Sequence, residues 1–113
     1  MLKSLVKEED FDPFLQNNQD KLVLVKFSTV WCPPCQVLHK NIKELLSKLE
    51  QLTEKPKELK VLEVDAEKFP RLAQRSQFSV HSVPTVFLFH RGKMIKKSSG
   101  SMSVEQLREF III

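Results

Sequence analysis

The sequence predicts an α/β domain built on a mixed five-stranded central sheet flanked by four helices. Three observations carry this. Apolar β-branched runs alternate with segments of helical period, the last two runs are separated only by a tight turn, and no repeat, linker or low-complexity stretch interrupts the chain. At 113 residues the length suits one domain with its own core, so the expected unit is 1–113.

The first strand is weak, Leu2 to Val6. Glu9 to Asn17, with Phe11, Phe14 and Leu15 on one side, reads as a short helix ending in the turn-prone Asn17-Asn18-Gln19-Asp20. Leu22 to Phe27 is almost continuously apolar, as a central strand covered on both faces should be. Leu38, Ile42, Leu45, Leu49 and Leu52 then recur at steps of four and three, which predicts a long amphipathic helix from Pro33 to Leu52, ended by Pro56.

Leu59 to Val64 is the next strand. A short helix carrying Phe69, Leu72 and Ala73 follows, with Pro70 in its first turn, where a missing N–H is harmless. Val83 to Phe89 and Lys93 to Ser98 are strands joined through Arg91-Gly92, a hairpin signal. Ser103 to Ile113 is read as a closing helix with the capping box Ser103-x-x-Gln106. Its end, Phe110-Ile111-Ile112-Ile113, has three β-branched residues and no glycine cap.

Eighteen basic and 14 acidic side chains give a net charge of +4, but they are interleaved along the chain. That pattern describes a solvated surface and argues against nucleic acid as a partner. The one local excess, Arg91, Lys93, Lys96 and Lys97, falls on the hairpin, where edge charges guard a strand against unwanted pairing. No run approaches the length that spans a bilayer, so no membrane partner is expected, and Met1-Leu2-Lys3-Ser4 lacks the pattern of a secretory signal. The expected location is therefore cytoplasmic.

The chemistry lies in Trp31-Cys32-Pro33-Pro34-Cys35, which holds the only two cysteines. As a staple, a bridge closing so small a loop adds only about 2 kcal/mol. A reversible redox role uses the pair better. Cys32 falls at the mouth of the long helix, where free N–H groups and the positive helix end favour a thiolate, the attacking species. Cys35 lies one turn in, placed to send its N–H back to the Cys32 sulfur and to resolve a mixed disulfide. Pro33 and Pro34 occupy first-turn positions and take away two other donors. A zinc site is not expected, because zinc takes four ligands and His39, His81 and His90 are scattered.

Lys21 to Cys35, the Val83-Pro84-Thr85 step, Gly92 and Gly100 together resemble the thioredoxin family over essentially the whole chain. The resemblance implies the thioredoxin fold, Cys32 as nucleophile, Cys35 as resolving thiol, and an apolar docking rim shaped by Trp31 and Pro34. It implies a cis bond before Pro84 and a substrate groove at Val83, Pro84, Thr85 and Gly100 that pairs with extended main chain. It further implies a protein that reduces disulfide-containing proteins and is recharged by an electron-donating reductase; no cofactor beyond the Cys32–Cys35 disulfide is expected, since the two sulfurs carry the electrons, and a monomer is the favoured state. Alternative readings are a more oxidising disulfide oxidase or isomerase, and a binding or chaperone-like module with little turnover.

The departures are instructive. Where the family usually carries a buried acid behind the second cysteine, this chain has Lys26, which either bends its ammonium out to water or is buried with a depressed pKa and serves as base. A charged Lys26 close to the sulfurs would favour thiolates and raise the reduction potential, so it is a candidate for redox tuning. Ser28 stands where many members have Trp, and Lys40 replaces a helix-bending proline. His39, one turn beyond Cys35, reads as a solvated residue on a polar face.

Overall fold

Strand β2 (Leu22–Ser28) has all seven residues buried, as its apolar run requires of a strand covered on both faces. The computed structural model describes residues 2–52 and 58–112. In it β2 pairs in parallel with β3 (Leu59–Asp65) and antiparallel with β4 (Thr85–His90). β1 (Leu2–Ser4) adds in parallel to β3, and β5 (Lys93–Ser99) antiparallel to β4, which gives the order β1-β3-β2-β4-β5. The mixed five-stranded sheet is as the sequence implied. α1 (Phe11–Asn17), which follows a 3₁₀ turn at Glu8–Asp10, connects β1 to β2, and α2 (Pro33–Glu50) connects β2 to its parallel partner β3. Short α3 (Pro70–Ala73) leads toward β4, and α4 (Val104–Phe110) follows β5.

Alternate residues of β2 serve two separate cores, because successive side chains leave a strand on opposite faces. Val23, Val25 and Phe27 join Phe11, Leu72, Phe78, Phe87 and Phe89. Leu22 and Leu24 join Leu38, Ile42 and Leu45 of α2 and Leu107 of α4. The first core is aromatic and the second aliphatic. Phe78 is the hub of the first: its ring lies 5.0–6.2 Å from those of Phe11, Phe27, Phe87 and Phe89. Lys26 continues the Leu22 and Leu24 row and so faces α2.

The hairpin between β4 and β5 turns through Arg91 (φ 55°) and Gly92 (φ 77°), the paired left-handed conformation of a two-residue type I′ loop. β5 is an edge strand and carries Lys93, Lys96 and Lys97, as the charge pattern suggested. Lys96 also crosses to α4, where its Nζ donates to the carbonyl of Phe110 (3.0 Å) and to that of Ile112. The capping box is present: Gln106 N–H donates to Ser103 Oγ at 3.1 Å, and Ser103 N–H to Gln106 Oε1 at 2.8 Å.

Several ends differ from expectation. β1 stops at Ser4 rather than Val6, and the segment from Glu9 divides into a 3₁₀ turn and α1. β4 begins at Thr85, two residues late, since Pro84 has no N–H to give a ladder. α2 ends at Glu50, where Gln51 N–H closes on carbonyls of the last turn, so the helix stops ahead of Leu52. Pro56, expected to end it, lies outside the described residues. α4 ends at Phe110 rather than Ile113, which also lies outside them; Phe110 and Ile111 pack against the aliphatic core while Ile112 is exposed.

Candidate active site

Cys32 is the N-cap of α2, with extended backbone (φ −86°, ψ 112°), and the Cys35 N–H donates to its sulfur at 3.3 Å. The two cysteines are joined as a disulfide with their Cα atoms 5.2 Å apart. Both residues are buried, Cys32 at 4% and Cys35 at 2% exposure. Pro33 and Pro34 fill the first two helical positions, and the first helical hydrogen bond runs from Gln36 N–H to the Cys32 carbonyl (3.1 Å). Of the N–H groups in the first turn, that of Cys35 is thus the one given to sulfur, as the two prolines dictate.

The Val83–Pro84 bond is cis. The Val83 carbonyl lies 3.8 Å from Cys32 Sγ, which sets the start of β4 beside the sulfur. Gly100 (φ 91°) donates its N–H to the Pro84 carbonyl at 2.8 Å and has open space where a Cβ would stand, so the surface by the proline is left clear. Thr85 differs from the groove role expected of it. Its side chain is buried, donates to the Ser82 carbonyl at 2.7 Å and lies 3.3 Å from Ser99 Oγ, so it fastens the turn from within.

On the other side of the cysteines, Val30 and Trp31 are exposed at 80% and 65%, and Pro33 and Pro34 are exposed as well. These form the apolar rim. Trp31 Nε1–H donates to the Glu67 carboxylate, which ties the indole to the loop after β3. That loop is held in turn by Asp65 Oδ1, which accepts the N–H groups of Glu67 (2.9 Å) and Lys68 (3.2 Å).

Lys26 does not bend its ammonium out to water: the residue is 1% exposed. Its Nζ donates to Glu63 Oε2 at 2.7 Å and lies 3.3 Å from His39 Nδ1, which is itself 3.4 Å from the same carboxylate oxygen. Lys26 and Glu63 stand opposite each other in the β2–β3 register, so the sheet itself aligns the pair. Burial pushes the Glu63 carboxyl up, yet the Lys26 hydrogen bond and charge, with His39 adding to them, outweigh it and hold the group below its ordinary value. His39 is also corrected: it is half-buried and paired, not a freely solvated residue.

Lys26, His39, Glu63 and Cys35 all line one cleft of about 440 Å³. Sequence reasoning missed Glu63. Its signal was a lone lysine in a buried strand, which needs an acid on a neighbouring strand. Among the described residues, no cluster of three or more His, Cys, Asp or Glu side chains has the arrangement to hold a metal ion. No helix among them is long and apolar enough to cross a membrane.

A cysteine pair at the mouth of the helix that follows the central strand of a mixed sheet, facing a cis-proline turn, defines a thioredoxin-fold protein with its redox centre in place. The chain belongs to the thioredoxin family, whose model, described as Thioredoxin, matches residues 3–112. It is 37% identical over 101 residues to thioredoxin Y2, chloroplastic, of Arabidopsis thaliana, covering 89% of this chain and 55% of that protein. It is 33% identical over 107 residues to a thioredoxin of Chlamydia trachomatis, covering 95% and 93%. The chain therefore spans about half the length of the plant relative and nearly all of the bacterial one. The crystal structure of a thioredoxin from Nicotiana alata shares the fold, with a TM-score of 0.80 at 20% identity over 97% of this chain and 89% of that one.

Proposed function

We propose that the protein is a thiol–disulfide oxidoreductase that reduces disulfides in other proteins. The observation that carries this reading is the Cys32 sulfur, placed at the mouth of α2 with the Cys35 N–H on it and the Val83 carbonyl beside it. In the reduced protein, the Cys32 thiolate attacks one sulfur of a substrate disulfide, forming a mixed disulfide and releasing the other sulfur as a thiolate. The Cys35 thiolate then attacks Cys32 Sγ, the second substrate thiolate leaves, and the Cys32–Cys35 disulfide remains. Two electrons pass to the substrate, and an electron-donating reductase returns the pair to the dithiol.

Val83, the surface beside Pro84 and the space at Gly100 receive the substrate's extended main chain, while Trp31 and Pro34 provide an apolar rim for its side chains. Both cysteines and the groove come from one chain, which supports action as a monomer. The cytoplasm, as a reducing compartment, would keep the couple mostly as the dithiol between turnovers.

Lys26 raised the alternative of a more oxidising couple. The Glu63 carboxylate at 2.7 Å offsets its charge, which supports the reductant instead. The test is catalysed reduction of a model protein disulfide by dithiothreitol, together with the reduction potential. Turnover lost in Cys32→Ser, a mixed disulfide trapped in Cys35→Ser and a potential below about −230 mV support the proposal. A potential above about −180 mV assigns an oxidase or isomerase, and absent turnover in the parent assigns a binding module.

A further inference from the structure

The resolving step has a requirement that the two cysteines do not meet by themselves. Cys35 is 2% exposed, and its thiol must lose a proton before its sulfur can attack. A buried thiolate with nowhere to send that proton is disfavoured, since burial raises a thiol's pKa. Cys35 lines one cleft together with Lys26, His39 and Glu63. His39 lies one helical turn beyond Cys35 on α2, the spacing that brings Cβ atoms to about 5–6 Å.

We infer that His39 takes up the proton Cys35 gives up and passes it to solvent, with Glu63 and Lys26 as positioning residues that hold the imidazole for the task. The inference rests on the thiol–disulfide exchange proposed above and adds the proton acceptor to it.

The geometry suits both protonation states of one nitrogen. In the neutral ring, Nδ1 accepts from the Lys26 ammonium at 3.3 Å. After protonation, Nδ1–H donates to Glu63 Oε2, 3.4 Å away. Lys26 Nζ keeps its own bond to that oxygen at 2.7 Å throughout, so the ring changes partner without a heavy atom moving. The charges balance as well. Lys26 and Glu63 cancel, and the proton moves as a unit from the sulfur, which becomes anionic, to the ring, which becomes cationic.

Imidazole is also the side chain whose ordinary titration range brackets neutral pH, which suits it to accept and release a proton there. The His39 side chain is 34% exposed, which gives the proton a way out, whereas Lys26 at 1% has none.

The charged and titratable groups that line the cleft with the ring are Lys26 from β2, Glu63 and Asp65 from β3, Lys68 from the loop beyond, and Cys35 on α2 itself. Of these, Lys26 and Glu63 are within 3.5 Å of Nδ1 and set its partners.

The test separates the two cysteines. Reduced protein is mixed with 5,5′-dithiobis(2-nitrobenzoate): the first nitrothiobenzoate released reports attack by Cys32, and the second reports attack by Cys35 on the mixed disulfide. In His39→Gln the first release keeps the parent rate. The second slows at least tenfold at pH 7, its midpoint moves to higher pH, and parent and variant converge at high pH. In His39→Ala, added imidazole restores the second release at pH 7, a rescue that a merely structural loss would not show. A second release with the parent's rate and pH profile in both variants overturns the inference while the exchange reading stands. A first release absent from the parent itself overturns both.

Discussion

Replacing Glu63 with Gln tests whether the ion pair behind Cys35 matters as the geometry says. The substitution keeps the shape and removes the charge, leaving Lys26 at 1% exposure facing an amide. Breaking a fully buried pair from one side costs about 3–5 kcal/mol. Glu63 is a quarter exposed and Gln can still accept a hydrogen bond from Lys26, so the expected loss is about 2 kcal/mol at pH 7.

The loss has a direction in pH. The Glu63 carboxyl is held below its ordinary value of 4.5, so folding gains wherever the unfolded chain's carboxylate is ionised. That gain is complete above about pH 5 and disappears as pH falls through the depressed folded value. Urea unfolding of parent and Glu63→Gln, followed by far-UV circular dichroism at constant ionic strength from pH 7 to pH 3, reads both quantities. The gap between the curves should be widest at neutral pH and close in acid. Equal midpoints at pH 7, or a gap that holds its size in acid, would refute the reasoning. The double variant Lys26→Met, Glu63→Gln should recover part of the loss, because no uncompensated ammonium then remains inside.

Phe78→Ala should be among the most damaging single substitutions, costing about 3–5 kcal/mol in chemical denaturation, since it empties the middle of the aromatic core. Gly92→Ala places a Cβ at φ 77° and 3.3 Å from the Gln19 side chain, which should lower stability by about 1–2 kcal/mol as read by thermal melting. Ser103→Ala removes one half of the capping box and should cost about 1 kcal/mol, with Ser103→Asp restoring most of it in the same melt. The Arg75–Asp12 pair is bidentate at 2.8 and 3.1 Å but on the surface, so Asp12→Asn should cost at most about 1 kcal/mol, and less at 1 M salt.

What could be read in the sequence was what depends on neighbours along the chain. The period of Leu38, Ile42 and Leu45 marks α2, the apolar run from Leu22 marks β2, and Arg91-Gly92 marks its hairpin by the left-handed backbone that a two-residue loop demands. The cysteine site was equally legible, because the bond from Cys35 N–H to Cys32 Sγ spans three residues. What escaped was brought together by tertiary structure. Glu63 and Lys26 are 37 residues apart and meet only through strand register. Phe78 stands alone between polar residues in a turn, with no periodic partner to flag it, yet it centres the aromatic core. Thr85 looked like a groove residue for its place after Pro84, but its hydroxyl is claimed by Ser82 and Ser99.

Lys96 fastens the final helix to the outermost strand by holding two carbonyls at the helix's frayed end. Peeling the helix end away would leave that ammonium without either carbonyl. Exchange of amide protons in β5 and α4 should then proceed as one cooperative opening.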